Sequence, residues 1–232
     1  ATFSSNISLR TKRTLTNLLS TYNIGPGDTV YIDTGTYTER VRILTADGDG
    51  TVASPITYTG PTNGAVAVFE GAGLNTGFHL SNVQNLRVRS LTIRGYATNG
   101  LRMSWFCTNN ILRGLTVVSN GLYGIYVDIN ACTRNRFVSN TFEGRATQDY
   151  GLLFYGAKNV ITNCASRGHV AGGIYVGGQA VSNRFTVCTL TSNAFYGIRI
   201  VGAAADYNRF HANSFDGKNR QDYGVQVEDG DG

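Results

Sequence analysis

Gly173-Ile174-Tyr175-Val176 is one copy of a pattern, glycine then aliphatic then any residue then apolar, whose recurrence decides the fold. Upstream stand Gly151-Leu152-Leu153-Phe154, Gly124-Ile125-Tyr126-Val127, Gly100-Leu101-Arg102-Met103 and Gly77-Phe78-His79-Leu80. Downstream stand Gly197-Ile198-Arg199-Ile200 and Gly224-Val225-Gln226-Val227. From the first glycine to the last, the intervals are 23, 24, 27, 22, 24 and 27 residues. A period of this length with a two-residue alternation inside each copy marks a solenoid in which one repeat is one coil. A single coil cannot bury its apolar side, so the coils must stack.

Other positions recur in step. One apolar row runs Val88, Leu112, Phe137, Ile161, Phe185, Phe210, and an asparagine stands two residues before its members from Leu112 on: Asn110, Asn135, Asn159, Asn183, Asn208. Another runs Leu91, Leu115, Asn140, Cys164, Cys188, Asn213, followed two residues later by Ile93, Val117, Phe142, Ser166, Leu190, Phe215. The simplest reading is about eight coils of three short strands each. Each strand meets its own equivalent one coil later, so the pairing is parallel, and parallel crossovers are right-handed. The asparagines are expected at sharp corners, where Asn tolerates a left-handed backbone and stacks side chain on side chain.

The repeat runs without a linker, so residues 1–232 read as one β-helix domain, with 1–25 as an N-terminal cap and 26–232 as coils. Leu15, Leu18, Leu19 and Tyr22 fall on one helical face and predict a short capping helix after Thr14. Gly25-Pro26-Gly27-Asp28 is a turn; Val30 and Ile32 then face inward, followed by Val41, Ile43, Ile56, Tyr58, Val66 and Val68.

Only 15% of residues are charged, against about a quarter in ordinary domains. No apolar run approaches the roughly 20 residues of a membrane span. A chain beginning Ala1-Thr2 reads as a processed product or an excised piece. Net charge is +5, with seventeen Arg and three Lys. The Arg fork suits carboxylate, sulfate or phosphate, so an anionic polymer is the expected partner. No basic cluster stands out along the sequence, so nucleic acid is not expected. Cys107 with Cys132, and Cys164 with Cys188, lie one coil apart. Bridges between them would suit a secreted protein, but in-register parallel strands orient side chains poorly for bridging. No CxxC or His/Cys cluster points to a metal.

The run Gly27-Asp28-Thr29-Val30-Tyr31-Ile32, Gly35-Thr36-Tyr37-Thr38-Glu39 and Ser54-Pro55-Ile56-Thr57-Tyr58 resembles the opening of right-handed parallel β-helix proteins of the pectin-lyase-like superfamily. It is most similar to the branch holding chondroitinase-B and alginate lyases, mannuronan epimerases and long bacterial surface proteins. The resemblance implies an all-β right-handed parallel β-helix, which hosts both enzymes and inert scaffolds. It also implies, for an enzyme, a Lys and Arg pair on neighbouring coils and an acidic calcium cluster. Lys158 and Lys218 sit beside corners instead, the epimerase sequence Asp-Pro-His-Asp is absent, and so are paired Asp residues at a strand end. No catalytic residue is therefore assigned.

What remains is a binding face. The middle residue of each copy points outward, giving the column His79, Arg102, Tyr126, Leu153, Tyr175, Arg199, Gln226. Of these, His79, Arg102, Tyr126, Tyr175, Arg199 and Gln226 are the candidate substrate-binding residues, aromatic rings stacking on sugars and Arg forks holding acidic substituents. Tyr123, Tyr150, Tyr196 and Tyr223 recur before the glycines, where Tyr is also an ordinary strand residue. Gln-Asp-Tyr-Gly occurs at 148–151 and 221–224; Asp149 and Asp222 suggest calcium or, more simply, turn caps. His169 has no carboxylate partner in view and reads as structural.

After Val227 only Glu228-Asp229-Gly230-Asp231-Gly232 follows, leaving an uncapped end. This predicts excision from a longer repeat protein, shielding by the acidic tail, or end-to-end self-association. The expectation is a secreted or cell-surface bacterial module, a scaffold or an acidic-polysaccharide binder, with a polysaccharide lyase or uronate epimerase as the alternative.

Overall fold

The computed structural model describes residues 13–129, 131–202, 206–218 and 220–228. Alternation within each repeat places every second residue inside, and the repeat length returns each strand beside its predecessor. Three parallel sheets of eight strands result. A typical coil passes through Leu86–Arg89 in the first sheet (A), Leu91–Arg94 in the second (B) and Asn99–Ser104 in the third (C). Sheet A ends at Arg209–His211, sheet B at Ser214–Asp216 and sheet C at Tyr223–Glu228.

The registers match the sequence rows rung by rung. Leu112 pairs with Val88 and Phe137, Val117 with Ile93 and Phe142, and Ile125 with Leu101 and Leu152. All these residues are fully buried, each contributing about 1.5–3 kcal/mol by leaving water. Phe137, Phe154 and Phe185 meet edge to face at 5.9 and 6.3 Å, a geometry that adds to area burial.

The helix Leu15–Leu19 forms where the Leu spacing predicts it. Thr14 caps it by accepting from the Asn17 amide at 3.1 Å, and the Glu39 carboxylate takes the free amides of Leu15 and Thr16 at 2.8 Å each. Leu15 is buried, and Leu18, Leu19 and Tyr22 pack against the core.

Three expectations need correction. The Asn row is stacked, but inside the coil. Asn135, Asn159, Asn183 and Asn208 each accept from the backbone amide of the Asn one coil earlier, at 2.7–3.0 Å, and donate to a carbonyl of the wall. The left-handed corner is taken by the residue before each: Asn109, Arg134, Lys158, Ser182 and Tyr207. Val66 is 55% exposed and Val68 shares its outward phase, while Ala67 and Phe69 point inward instead, because the loop before Ala67–Glu70 shifts the alternation by one. The basic residues do cluster, on sheet A, a gathering hidden by their spacing in the chain.

All four cysteines are buried and unbridged. His169 joins a second internal polar ladder, its Nδ1 3.3 Å from Gln148 Nε2 and its amide donating to Asn193. Gln148 and Gln221 of the repeated Gln-Asp-Tyr-Gly serve the same ladder. At the far end Val225 and Val227 are exposed, and the acidic residues 229–232 lie outside the described residues.

Candidate functional site

Sheet C presents the predicted column in register, His79, Arg102, Tyr126, Leu153, Tyr175, Arg199 and Gln226, and extends it one rung upstream to Arg42. Seven rungs of about 4.8 Å give a track of roughly 34 Å. Alternation adds a column on each side, and these supply what the sequence reading lacks.

The central feature is a pavement of tyrosine rings, neighbours inclined to one another by 56–73°. Tyr126 meets Tyr123 at 5.5 Å and Tyr155 at 6.3 Å; Tyr175 meets Tyr150 at 5.4 Å and Tyr155 at 6.1 Å. Leu153, registered between Tyr126 and Tyr175, faces outward yet is only 6% exposed, so it is the floor of the cluster. Gly172 and Gly177, on the Tyr175 strand, leave the space that the rings occupy: a β-carbon at Gly172 would stand 2.9 Å from Tyr150, and one at Gly177 would stand 2.4 Å from Tyr175 and 2.9 Å from Tyr155. Burial holds the Tyr123, Tyr126, Tyr150, Tyr155 and Tyr175 phenols above their ordinary range, so they stay protonated donors.

An arginine flanks each end of the pavement. Arg102 lies 5.7 Å from the Tyr126 ring and donates to Asp128 at 2.5 and 2.8 Å. Arg199 lies 5.8 Å from Tyr175 and 5.2 Å from Tyr196, and its fork grips Glu228 at 2.7 and 3.1 Å. The hydrogen bonds from Arg199 hold the Glu228 carboxyl below its usual range. With both forks committed to carboxylates, this face is aromatic more than cationic.

His79 occupies a different environment. Its Nε2 lies 2.8 Å from Ser104 Oγ, while Nδ1 is buried without a partner among the described residues. Burial, then Arg102, Arg42 and Arg40, push the imidazole down to about 4. It is neutral at pH 7. Beyond Ser104, exposed Trp105 and Phe106 line a recess of about 350 Å³ with Ser81 and Asn82.

Tyr155, Asp128, Glu228 and Trp105 were not singled out from sequence. The first three lie two residues past the variable position of their repeat copies, so extending the alternation by one step finds them; Trp105 is the chain's one tryptophan. Gln226 is in register but lies beyond the pavement. Asp149 and Asp222 join no cluster of three or more His, Cys, Asp or Glu among the described residues.

The family model described as "Periplasmic copper-binding protein (NosD)" matches residues 45–230. The chain belongs to the NosD family. Solved structures place this NosD-family chain in the parallel β-helix fold. It is similar to pectate lyase Pel9A (TM-score 0.59, 14% identity, covering 84% of this chain and 64% of that one) and to the periplasmic alginate epimerase AlgG (0.58, 11%, 82% and 61%). It is also similar to an alginate lyase from Paenibacillus sp. str. FPU-7 (0.53, 14%, 87% and 96%). The chain thus spans less than two-thirds of Pel9A and of AlgG. No curated protein sequence is detectably similar to it.

Copper in proteins is held by converging thiolate, thioether or imidazole donors. Among the described residues of this NosD-family chain no three His, Cys, Asp or Glu converge. The cysteines are buried along the core, and the Cys107 thiol donates to the Leu80 and Ser104 carbonyls. These residues do not fit the family's ion, and no chemistry is derived through it.

Proposed function

We propose that this chain is a non-catalytic, glycan-binding β-helix module working outside the cytoplasm, secreted, surface-exposed or periplasmic, with the tyrosine face of sheet C as its sugar-binding track. The observation that carries the reading is the pavement of Tyr123, Tyr126, Tyr150, Tyr155 and Tyr175 over consecutive coils, bounded by Arg102 and Arg199. Aromatic faces stack on the apolar faces of sugar rings, and a track one strand-rung per step suits an extended polymer. The polysaccharide-acting names of the structural neighbours support the ligand class, and the periplasmic descriptions of the family and of AlgG support the location.

The test is retention on immobilised alginate, pectate and a neutral glucan. Replacing Tyr126, Tyr155 and Tyr175 together by Ala should weaken retention on the neutral glucan about tenfold or more, since each ring contact is worth about 0.5–1.5 kcal/mol. Unchanged retention in a folded variant would remove this face from the account.

A further inference from the structure

The outer face of sheet A is a ladder of cations with no carboxylate of its own. One outward column runs Arg87, Ile111, Arg136, Val160, Arg184, Arg209, and the column beside it begins Arg89, Arg113. All six arginines are exposed. None of the eight strands of sheet A, from Thr29–Tyr31 to Arg209–His211, contains an Asp or Glu. Elsewhere four carboxylates are engaged with arginines: Glu70 with Arg94, Glu143 with Arg145 and Arg167, Asp128 with Arg102, and Glu228 with Arg199. The six sheet A guanidinium groups have no ion pair or hydrogen bond to any described residue. Of the carboxylates beside the sheet's ends, Asp28 and Asp33 flank the first strand and accept from the Gly25 and Thr34 amides, Asp49 accepts from the Gln84 amide, and Asp206 lies in the turn before the last rung.

We infer that sheet A is a second binding surface, separate from the tyrosine track, whose occupant is an extended acidic polysaccharide laid along the solenoid axis. Its spacing favours this partner. Arg87, Arg136 and Arg184 stand on alternate rungs, about 10 Å apart, with Ile111 and Val160 between them. A glycan carrying its acid on every second sugar offers carboxylate or sulfate groups at a comparable interval, with less charged sugar over the aliphatic rungs. A groove of about 230 Å³ beside the column, lined in part by Arg87, Arg134, Arg136 and Asn109, gives the chain a lateral wall. Single-stranded nucleic acid is served by aromatic platforms inside a basic groove, and the strands from Leu86–Arg89 to Arg209–His211 carry no outward Phe, Tyr or Trp, the imidazole of His211 on the last strand being their one outward ring. The Arg fork also holds carboxylate or sulfate in two-point contact.

The experiment uses the whole chain and three probes: chondroitin sulfate, a neutral glucan and oligo-dT, each at low and at physiological salt. Chondroitin sulfate should bind more tightly than oligo-dT and should weaken as salt rises. The R87Q/R136Q/R184Q variant should lose about tenfold or more of that affinity, as three lost charge-assisted contacts require. The charge-matched R94Q/R145Q/R167Q variant, on sheet B and the turn after its Thr141–Glu143 strand, should keep it. Equal losses in the two variants would reduce the effect to net charge and overturn the site, as would tighter binding of oligo-dT or no loss in the sheet A variant. Neutral-glucan retention reads the tyrosine track alone, so failure of one surface is distinguishable from failure of the other.

Discussion

Gly177 and Tyr175 stand two residues apart on one strand, and a β-carbon on the first would come within 2.4 Å of the ring of the second. The ring of Tyr155, one coil back, closes over the same spot at 2.9 Å. The edge-to-face junction between these rings, inclined at 62°, therefore depends on a missing side chain, at a residue whose backbone is ordinary strand.

Gly177→Val tests that dependence. The added branches must lift both rings, so sugar retention should fall as far as in Tyr175→Ala. Stability should fall by about 1–3 kcal/mol, the usual cost of overpacking, because Gly177 is buried under the two rings. Retention in the Val variant equal to that of the parent protein would mean that the edge-to-face arrangement of these rings is irrelevant to binding.

Val187 carries more backbone strain than its equivalents. It holds φ 54° at the corner between sheets A and B, a position filled in other coils by Ser90, Gly114, Ser139, Asn163 and Ala212. A β-branched residue is the least suited to this left-handed conformation, which costs an ordinary residue about 1–2 kcal/mol and Asn less. Val187 is also 54% exposed, so little packing is lost on replacing it. Val187→Asn should raise stability by about 1 kcal/mol, seen as a higher denaturant midpoint at unchanged slope. A lower midpoint would show that the Val side chain contributes more than its backbone costs.

The inner rows and the outward column were legible in the sequence because both depend only on a two-residue alternation and a period that glycine marks in every coil. The phase at Val66 was not legible: that coil precedes the first glycine copy, and its loop displaces the alternation without leaving a marker. The tyrosine pavement was half legible. Tyr126 and Tyr175 lie on the marked column, whereas Tyr155 and the accommodating Gly172 and Gly177 matter only once three columns are folded side by side. The basic face was missed because Arg87, Arg136 and Arg184 were weighed singly; they become a cluster when rungs some two dozen residues apart are stacked.

A lyase would place a base near the track, and His79, neutral and flanked by Arg42 and Arg102, is the one imidazole on this face. Its pKa of about 4 makes it a weak proton acceptor at neutral pH, far from the value that general-base catalysis favours. Alginate, pectate and chondroitin sulfate incubated with the protein should therefore develop no ultraviolet absorbance from unsaturated uronate, and their uronate composition should stay constant. Product formation that disappears in His79→Ala would replace the binding-only reading with an enzymatic one.

Acid should destabilise the fold through His169. Its side chain is fully buried in the polar ladder, and burial pushes the imidazole from 6.5 to about 4. Between those values the unfolded chain binds a proton that the folded protein does not, so stability is intact above about pH 6.5 and falls as pH drops toward 4. The full loss is on the order of 3 kcal/mol. Gln occupies the preceding rung of this ladder as Gln148, donating toward the same ring, so His169→Gln keeps a polar side chain without a titrating group. The parent protein should lose denaturant resistance from pH 7 to pH 4.5, and His169→Gln should lose clearly less over the same interval. Parallel slopes in the two proteins would move the acid sensitivity to other groups and leave His169 as a packing element alone.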